Sequence, residues 1–180
     1  MTAMLKKIIV LLLINIFILT TTVLAAQKPR WASQPIHVYI PKHGYYSKLM
    51  HKAFHTWQKE SKGLVRFKFI QKPQNADIKV FFIDNVTGIS NNKNAVGYTK
   101  NQVYKREYHV SEIYIALNQL NNNKKLRPID NVYGVMLHEI GHSLGLGHSY
   151  NTESIMYHID LPTLQHLTKD DLDMLYKKYH

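Results

Sequence analysis

The sequence has no cysteine. A disulfide framework and thiolate chemistry are therefore excluded. Acidic residues are scarce, with 12 Asp and Glu against 23 Lys and Arg, for a formal net charge of +11. That balance favours anionic surroundings or substrates and says nothing about the fold. Long apolar runs are limited to Ile8–Leu19, broken by Asn15. The run is short for a membrane span, which needs about 20 residues. Lys6 and Lys7 precede it and Val23-Leu24-Ala25-Ala26 follows it, which is the layout of a secretory signal peptide cleaved after Ala25 or Ala26. Residues 1–26 are read as that signal and 27–180 as one domain. The mature chain is expected outside the cytoplasm, periplasmic or extracellular, monomeric and without stable membrane insertion. Many exported small domains depend on disulfides; this one has to rely on its core and on a bound ion.

What the sequence does have is concentrated between His138 and Ser149, HEIGHSLGLGHS. Residues four apart on an α-helix lie on one face, so His138 and His142 can aim two imidazoles at one metal ion. Gly145 lets the chain leave the helix, because glycine tolerates left-handed backbone angles at helix ends. The reversed chain can then deliver His148 as a third nitrogen ligand. Three protein ligands leave one position open, as in catalytic zinc sites; structural sites close all four. Glu139 adjoins the first ligand, where a carboxylate can act as general base. A buried helix with three satisfied histidines is the bland alternative. It is disfavoured because histidines offer a core no advantage over leucine.

Downstream lies Ser154-Ile155-Met156-Tyr157. With the complete histidine set before it, Met156 fits a methionine turn beneath the metal. The two elements together resemble the metzincin zinc endopeptidases. Ser149 after the third histidine is similar to the matrixins, the matrix-metalloproteinase type; snake-venom-type enzymes carry aspartate there and astacin-type enzymes glutamate. The resemblance implies an α+β zincin-like catalytic domain: a twisted mixed sheet, an edge strand lining the cleft, and three main helices. It further implies a zinc metalloendopeptidase with His138, His142 and His148 as ligands, Glu139 as base, Met156 as the floor of the site, and protein or peptide substrates. Tyr157 is read as structural.

The rest of the chain is read as follows. Ile36–Ile40 and Val65–Ile70 alternate like strands, and Ala76–Ile83 is a more continuous, central strand. Tyr46–Ser61 has helical spacing, with Leu49, Met50, Ala53, Phe54 and Trp57 on one face. Ala53-Phe54 with Trp57, and Ala76-Asp77-Ile78, again resemble matrixins. His51 and His55, also four apart, lack a third ligand nearby and are read as solvated or half-buried. Ala95–Thr99 is the candidate edge strand, with Ala95, Val96, Gly97 and Tyr98 as substrate-binding residues. Residues 101–109 and the loops at 91–94 and 118–125 read as irregular and polar. Ser111–Leu117 is a strand, Asp130 a candidate N-cap for the zinc helix, and Thr168-Lys169-Asp170-Asp171 a capping box for a last helix.

Two departures from matrixins matter. Their structural zinc is held by three histidines and an aspartate in the region matching 84–110, which here contains His109 and Asp84 alone. One catalytic zinc and no structural zinc are therefore expected; calcium remains compatible, because backbone carbonyls can serve as its ligands. Their Pro-x-Tyr wall after the methionine turn is replaced by His158, Ile159 and Asp160, so side-chain preference does not carry over. With no cysteine there is also no cysteine-switch latency. A different class of function competes with this reading: a basic exported protein that binds anionic polymers, nucleic acid or envelope, without catalysis. The lysines are scattered and no nucleic-acid motif appears, so nucleic acid is not an expected partner.

Overall fold

The computed structural model describes residues 29–90, 95–118, 129–158 and 165–180, with Ile129 and Asp130 described in backbone alone. The expected signal peptide, the 91–94 loop, residues 119–125, Ile159 and Asp160 lie outside the described residues. Among those described, no helix is long and apolar enough to cross a membrane.

Five strands form one sheet: β1 (Ile36–Tyr39), β2 (Phe67–Phe69), β3 (Ile78–Ile83), β4 (Gly97–Tyr104) and β5 (Glu107–Ala116). Their spatial order is β2-β1-β3-β5-β4. All neighbours are parallel except β4, which runs antiparallel to β5 at the edge. Among the described residues, three α-helices accompany the sheet: α1 (Gly44–Glu60), α2 (Ile129–Ser143) and α3 (Lys169–Tyr179). The result is the mixed-sheet α+β architecture expected from the sequence.

Alternation places Ile36 and Val38, Ile78 and Val80, and Ile113 and Ile115 in the core. Leu49, Met50, Ala53, Phe54 and Trp57 of α1 meet them, as helical spacing predicts. Each fully buried Val, Ile, Met or Phe among them stabilises the fold by about 1.5–3 kcal/mol relative to exposure. Trp57 also donates its indole N–H to the Leu137 carbonyl at 2.9 Å, which fixes α1 against α2 without leaving a buried polar group unpaired. The other face of the sheet carries a row of aromatics, with Phe81 stacked on Tyr114 at 4.9 Å and Tyr98 beyond. Trp31 donates to the Ser143 carbonyl at 2.8 Å, so the segment before β1 closes over the end of α2.

Three expectations need correction. Residues 101–109 are not irregular: β4 and β5 continue through them as a long hairpin. Its turn, Lys105-Arg106, has φ of 49° and 67°. Both values are positive, as a two-residue type I′ hairpin demands, yet neither residue is the glycine or asparagine that usually signals it. The edge strand is thus Gly97–Tyr104, and Ala95 and Val96 precede it. Asp130 lies inside α2 and not before it. The reading of His51 and His55 as solvated or half-buried stands: His51 is half-buried and His55 exposed, and both pack edge-on against Phe69, at 4.3 and 5.3 Å between ring centres.

Candidate active site

Helix α2 ends in a way that builds the site. Gly145 has φ of +89°, Leu146 N–H bonds back to the Gly141 carbonyl and Gly145 N–H to the His142 carbonyl, both at 2.9 Å. This is the six-to-one, five-to-two pairing of a Schellman close. It satisfies the last carbonyls of the helix and reverses the chain toward His148. The structure thereby brings His138, His142 and His148 together, with one ring nitrogen from each lying within 4.8 Å of the others.

The outer ring nitrogens of two of them are already committed. His138 Nδ1 lies 2.7 Å from the Ile155 carbonyl oxygen and His142 Nδ1 lies 2.9 Å from that of Leu146. A carbonyl can only accept, so each Nδ1 carries the proton and each Nε2 is left as a bare lone pair. The Nε2 atoms of His142 and His148 face each other at 3.2 Å. Burial, first of all, holds the pKa of His142 down to about 3 and lowers that of His138. His148 is lowered too, by burial and then by neighbouring His158. All three are therefore neutral near pH 7, the form that ligates a metal. The donor set, tautomers and convergence fit a single metal ion, and these residues could hold one.

Glu139 lies between α2 and β4, against Gly97 and Thr99. It is 5% exposed. The Thr99 hydroxyl lies 2.6 Å from its Oε2 and donates to it. Burial pushes its pKa up to about 7, with the Thr99 hydrogen bond acting against the rise. Asn101 Nδ2 donates to the His142 carbonyl at 2.9 Å, so two side chains of β4 grip α2.

Met156 is fully buried beneath the histidines' helix. It fits because Gly141 has no side chain: a Cβ there would collide with Met156 Sδ and stand 3.2 Å from Trp57 Cζ2. The turn that carries it is held by Asp171, a fully buried residue. Its carboxylate accepts from Ser154 Oγ, from Ile155 N at 3.1 Å, from Met156 N at 3.3 Å, and from Thr168 N at 2.7 Å. Asp170 accepts from Ser149 Oγ at 2.7 Å. Sequence reading assigned both aspartates to the start of the last helix. The capping box with Thr168 is present, but Asp171 also clamps a turn 16 residues away. The paired aspartates were the visible signal; their long-range partners were not.

Of the four residues expected on the substrate edge, Gly97 and Tyr98 lie in β4. Ala116 N–H donates to the Val96 carbonyl at 3.1 Å, so Val96 turns its polar main-chain groups toward β5. Antiparallel alternation then turns those of Gly97 and Thr99 toward the open edge. His158 adjoins Tyr157, with ring centres 4.5 Å apart.

Comparison with known proteins agrees with this geometry. The matrixin family model matches residues 39–180. Stromelysin-1 of Rattus norvegicus is 44% identical over 54 residues, which is 27% of this chain and 11% of that protein. The chain thus matches a small part of that relative's length. The match over 39–180 covers well over half of the sequence and includes every element of the site: the chain belongs to the matrixin family.

Proposed function

We propose that the protein is a secreted zinc endopeptidase with one catalytic zinc, held by His138, His142 and His148. The observation that carries this reading is the committed Nδ1 of His138 and His142, which leaves both Nε2 lone pairs free, that of His142 facing His148, in a cluster whose ring nitrogens converge within 4.8 Å. When bound there, zinc supplies Lewis acidity toward a substrate carbonyl and acidifies an attacking water. Glu139 takes the proton from that water and returns it to the leaving amine. A base whose pKa lies near the working pH suits both halves of that task. Met156 forms the floor of the site, and Asp171 keeps its turn in place.

The substrate binds extended along β4, its main chain pairing with Gly97 and Thr99 at the open edge. Partners are therefore proteins or peptides, with the enzyme a monomer. Residues 1–26 direct export to the periplasm or the outside, and 27–180 form a single catalytic domain. A structural zinc is not part of this reading: His109 packs against Tyr104 at 5.6 Å and Asp84 accepts from Asn118 Nδ2 at 2.9 Å.

The test pairs two variants. Glu139→Ala removes a base but no ligand, so zinc stays bound while turnover of a generic protein falls by at least about 10²-fold. His142→Ala removes a ligand and loses zinc and activity together. A Glu139→Ala protein that cleaves like the parent contradicts the mechanism.

A further inference from the structure

We infer that Thr99 is a positioning residue for Glu139, holding its carboxylate by a hydrogen bond from the edge strand on which the substrate is to lie. The inference rests on the reading of Glu139 as general base and extends it to a residue 40 positions away in sequence.

Three observations meet here. Thr99 Oγ1 lies 2.6 Å from Glu139 Oε2 and 3.0 Å from the Glu139 main-chain carbonyl; its single proton goes to the nearer, more basic carboxylate oxygen, and among the described residues no other side chain donates to that carboxylate. The other oxygen, Oε1, fills the space over Gly97, where a Cβ would stand 2.6 Å from it, 2.7 Å from Glu139 Cγ and 2.8 Å from Val135 Cγ1. Glu139 itself is 5% exposed, so bulk solvent offers few competing donors for the same contact. One oxygen is thus held by a donor and the other by fit against the backbone of β4. A glutamate has three rotatable side-chain bonds, and an unheld one samples rotamers in which its oxygens miss the water. Groups fixed before the reaction avoid that loss, and a displacement of about 1 Å can cost about 10²-fold in rate.

The placement also joins two parts of the site. The main chain of Thr99 turns toward the open edge, where an extended peptide would pair. Its side chain leaves the plane of the sheet on the α2 side, onto the base. The strand that receives the peptide therefore also sets where the base stands, and the distance between scissile bond and base is fixed through one residue.

Thr99→Val is the test, because it removes the hydroxyl while keeping shape and strand preference. The expected result is a kcat lower by roughly 10- to 100-fold, the factor carried by a hydrogen bond to a charged group. KM and bound zinc, by elemental analysis, should match the parent. Thr99→Ser keeps the donor and should restore most of the loss. A second readout does not use turnover: calorimetric affinity for a peptidyl hydroxamate, whose hydroxyl needs the Glu139 carboxylate in place, should weaken by a similar factor in Thr99→Val and recover in Thr99→Ser. If Glu139→Ala is inactive while Thr99→Val keeps parental kcat and hydroxamate affinity, the base assignment stands and the inference is overturned. If Thr99→Val loses zinc or melts far below the parent, the hydroxyl is a staple of the fold, and the inference is again overturned. If Glu139→Ala itself turns over like the parent, the base assignment fails and takes this inference with it.

Discussion

Replacing Asp171 by alanine should loosen the metal site from a position that touches no ligand. In the native chain its carboxylate accepts from Ser154 Oγ and from the main-chain N–H groups of Ile155, Met156 and Thr168. Met156 N–H keeps a second acceptor, Ser154 Oγ at 3.0 Å, and the Ser154 hydroxyl can turn. The N–H groups of Ile155 and Thr168 lose their acceptor. Ile155 N–H is buried, and a buried donor left without a partner costs about 1–3 kcal/mol; the half-buried Thr168 N–H can turn to water but loses its capping box, worth about 1 kcal/mol, so the two together give about 3 kcal/mol before any cavity is counted. For a chain of this size about 1 kcal/mol moves Tm by about 2–4 °C, which predicts a fall of about 6–12 °C. The effect should reach the metal as well. The Ile155 carbonyl that accepts from His138 Nδ1 belongs to the same turn, and loss of such an orienting partner typically costs 10- to 100-fold in metal affinity. Differential scanning calorimetry and competition with a fluorescent zinc chelator measure the two effects. An Asp171→Ala protein that melts within 2 °C of the parent and holds zinc as tightly would refute the reasoning.

Gly141→Ala gains about 1 kcal/mol of helix propensity but forces Met156 and Trp57 apart in a closed core, where overpacking costs about 1–3 kcal/mol. A lower or unchanged melting temperature is expected, and a rise of several degrees would show that the Met156 pocket yields freely. In the hairpin turn, Lys105→Asn with Arg106→Gly supplies residues that accept positive φ. Stability should rise by about 1 kcal/mol, read as a gain of about 2–4 °C in Tm with zinc content unchanged; a fall would contradict the assigned turn.

The three converging histidines were legible in sequence because their geometry is local. His138 and His142 share a helix face by spacing alone, and Gly145 announces the reversal that delivers His148. Strand alternation likewise exposed Ile36 and Val38 of β1, whereas β3 reads as a continuous apolar run and its inward alternation of Ile78 and Val80 shows only in the folded sheet. What escaped reading is non-local. Asp171 looks like a cap from its neighbours, and only the folded chain shows that it also holds the Met156 turn. Thr99 is one polar residue of an edge strand until α2 packs beside it. The β4–β5 hairpin escaped because Lys105-Arg106 takes up left-handed angles without the usual glycine or asparagine, and because polar residues on an exposed hairpin carry no apolar alternation.

The most direct test of the account is a zinc titration of the metal-free protein against cleavage of a broad peptide library. Protein stripped with a chelator should cleave nothing. Added zinc should restore activity in proportion until about one equivalent is bound at His138, His142 and His148, with no further tight binding beyond it. Cleavage by the stripped protein, or a second equivalent held as tightly as the first, would contradict the single catalytic zinc. Zinc bound without any cleavage across the library would favour a basic protein that binds anionic polymers, recognised by zinc-independent binding that weakens steeply with salt.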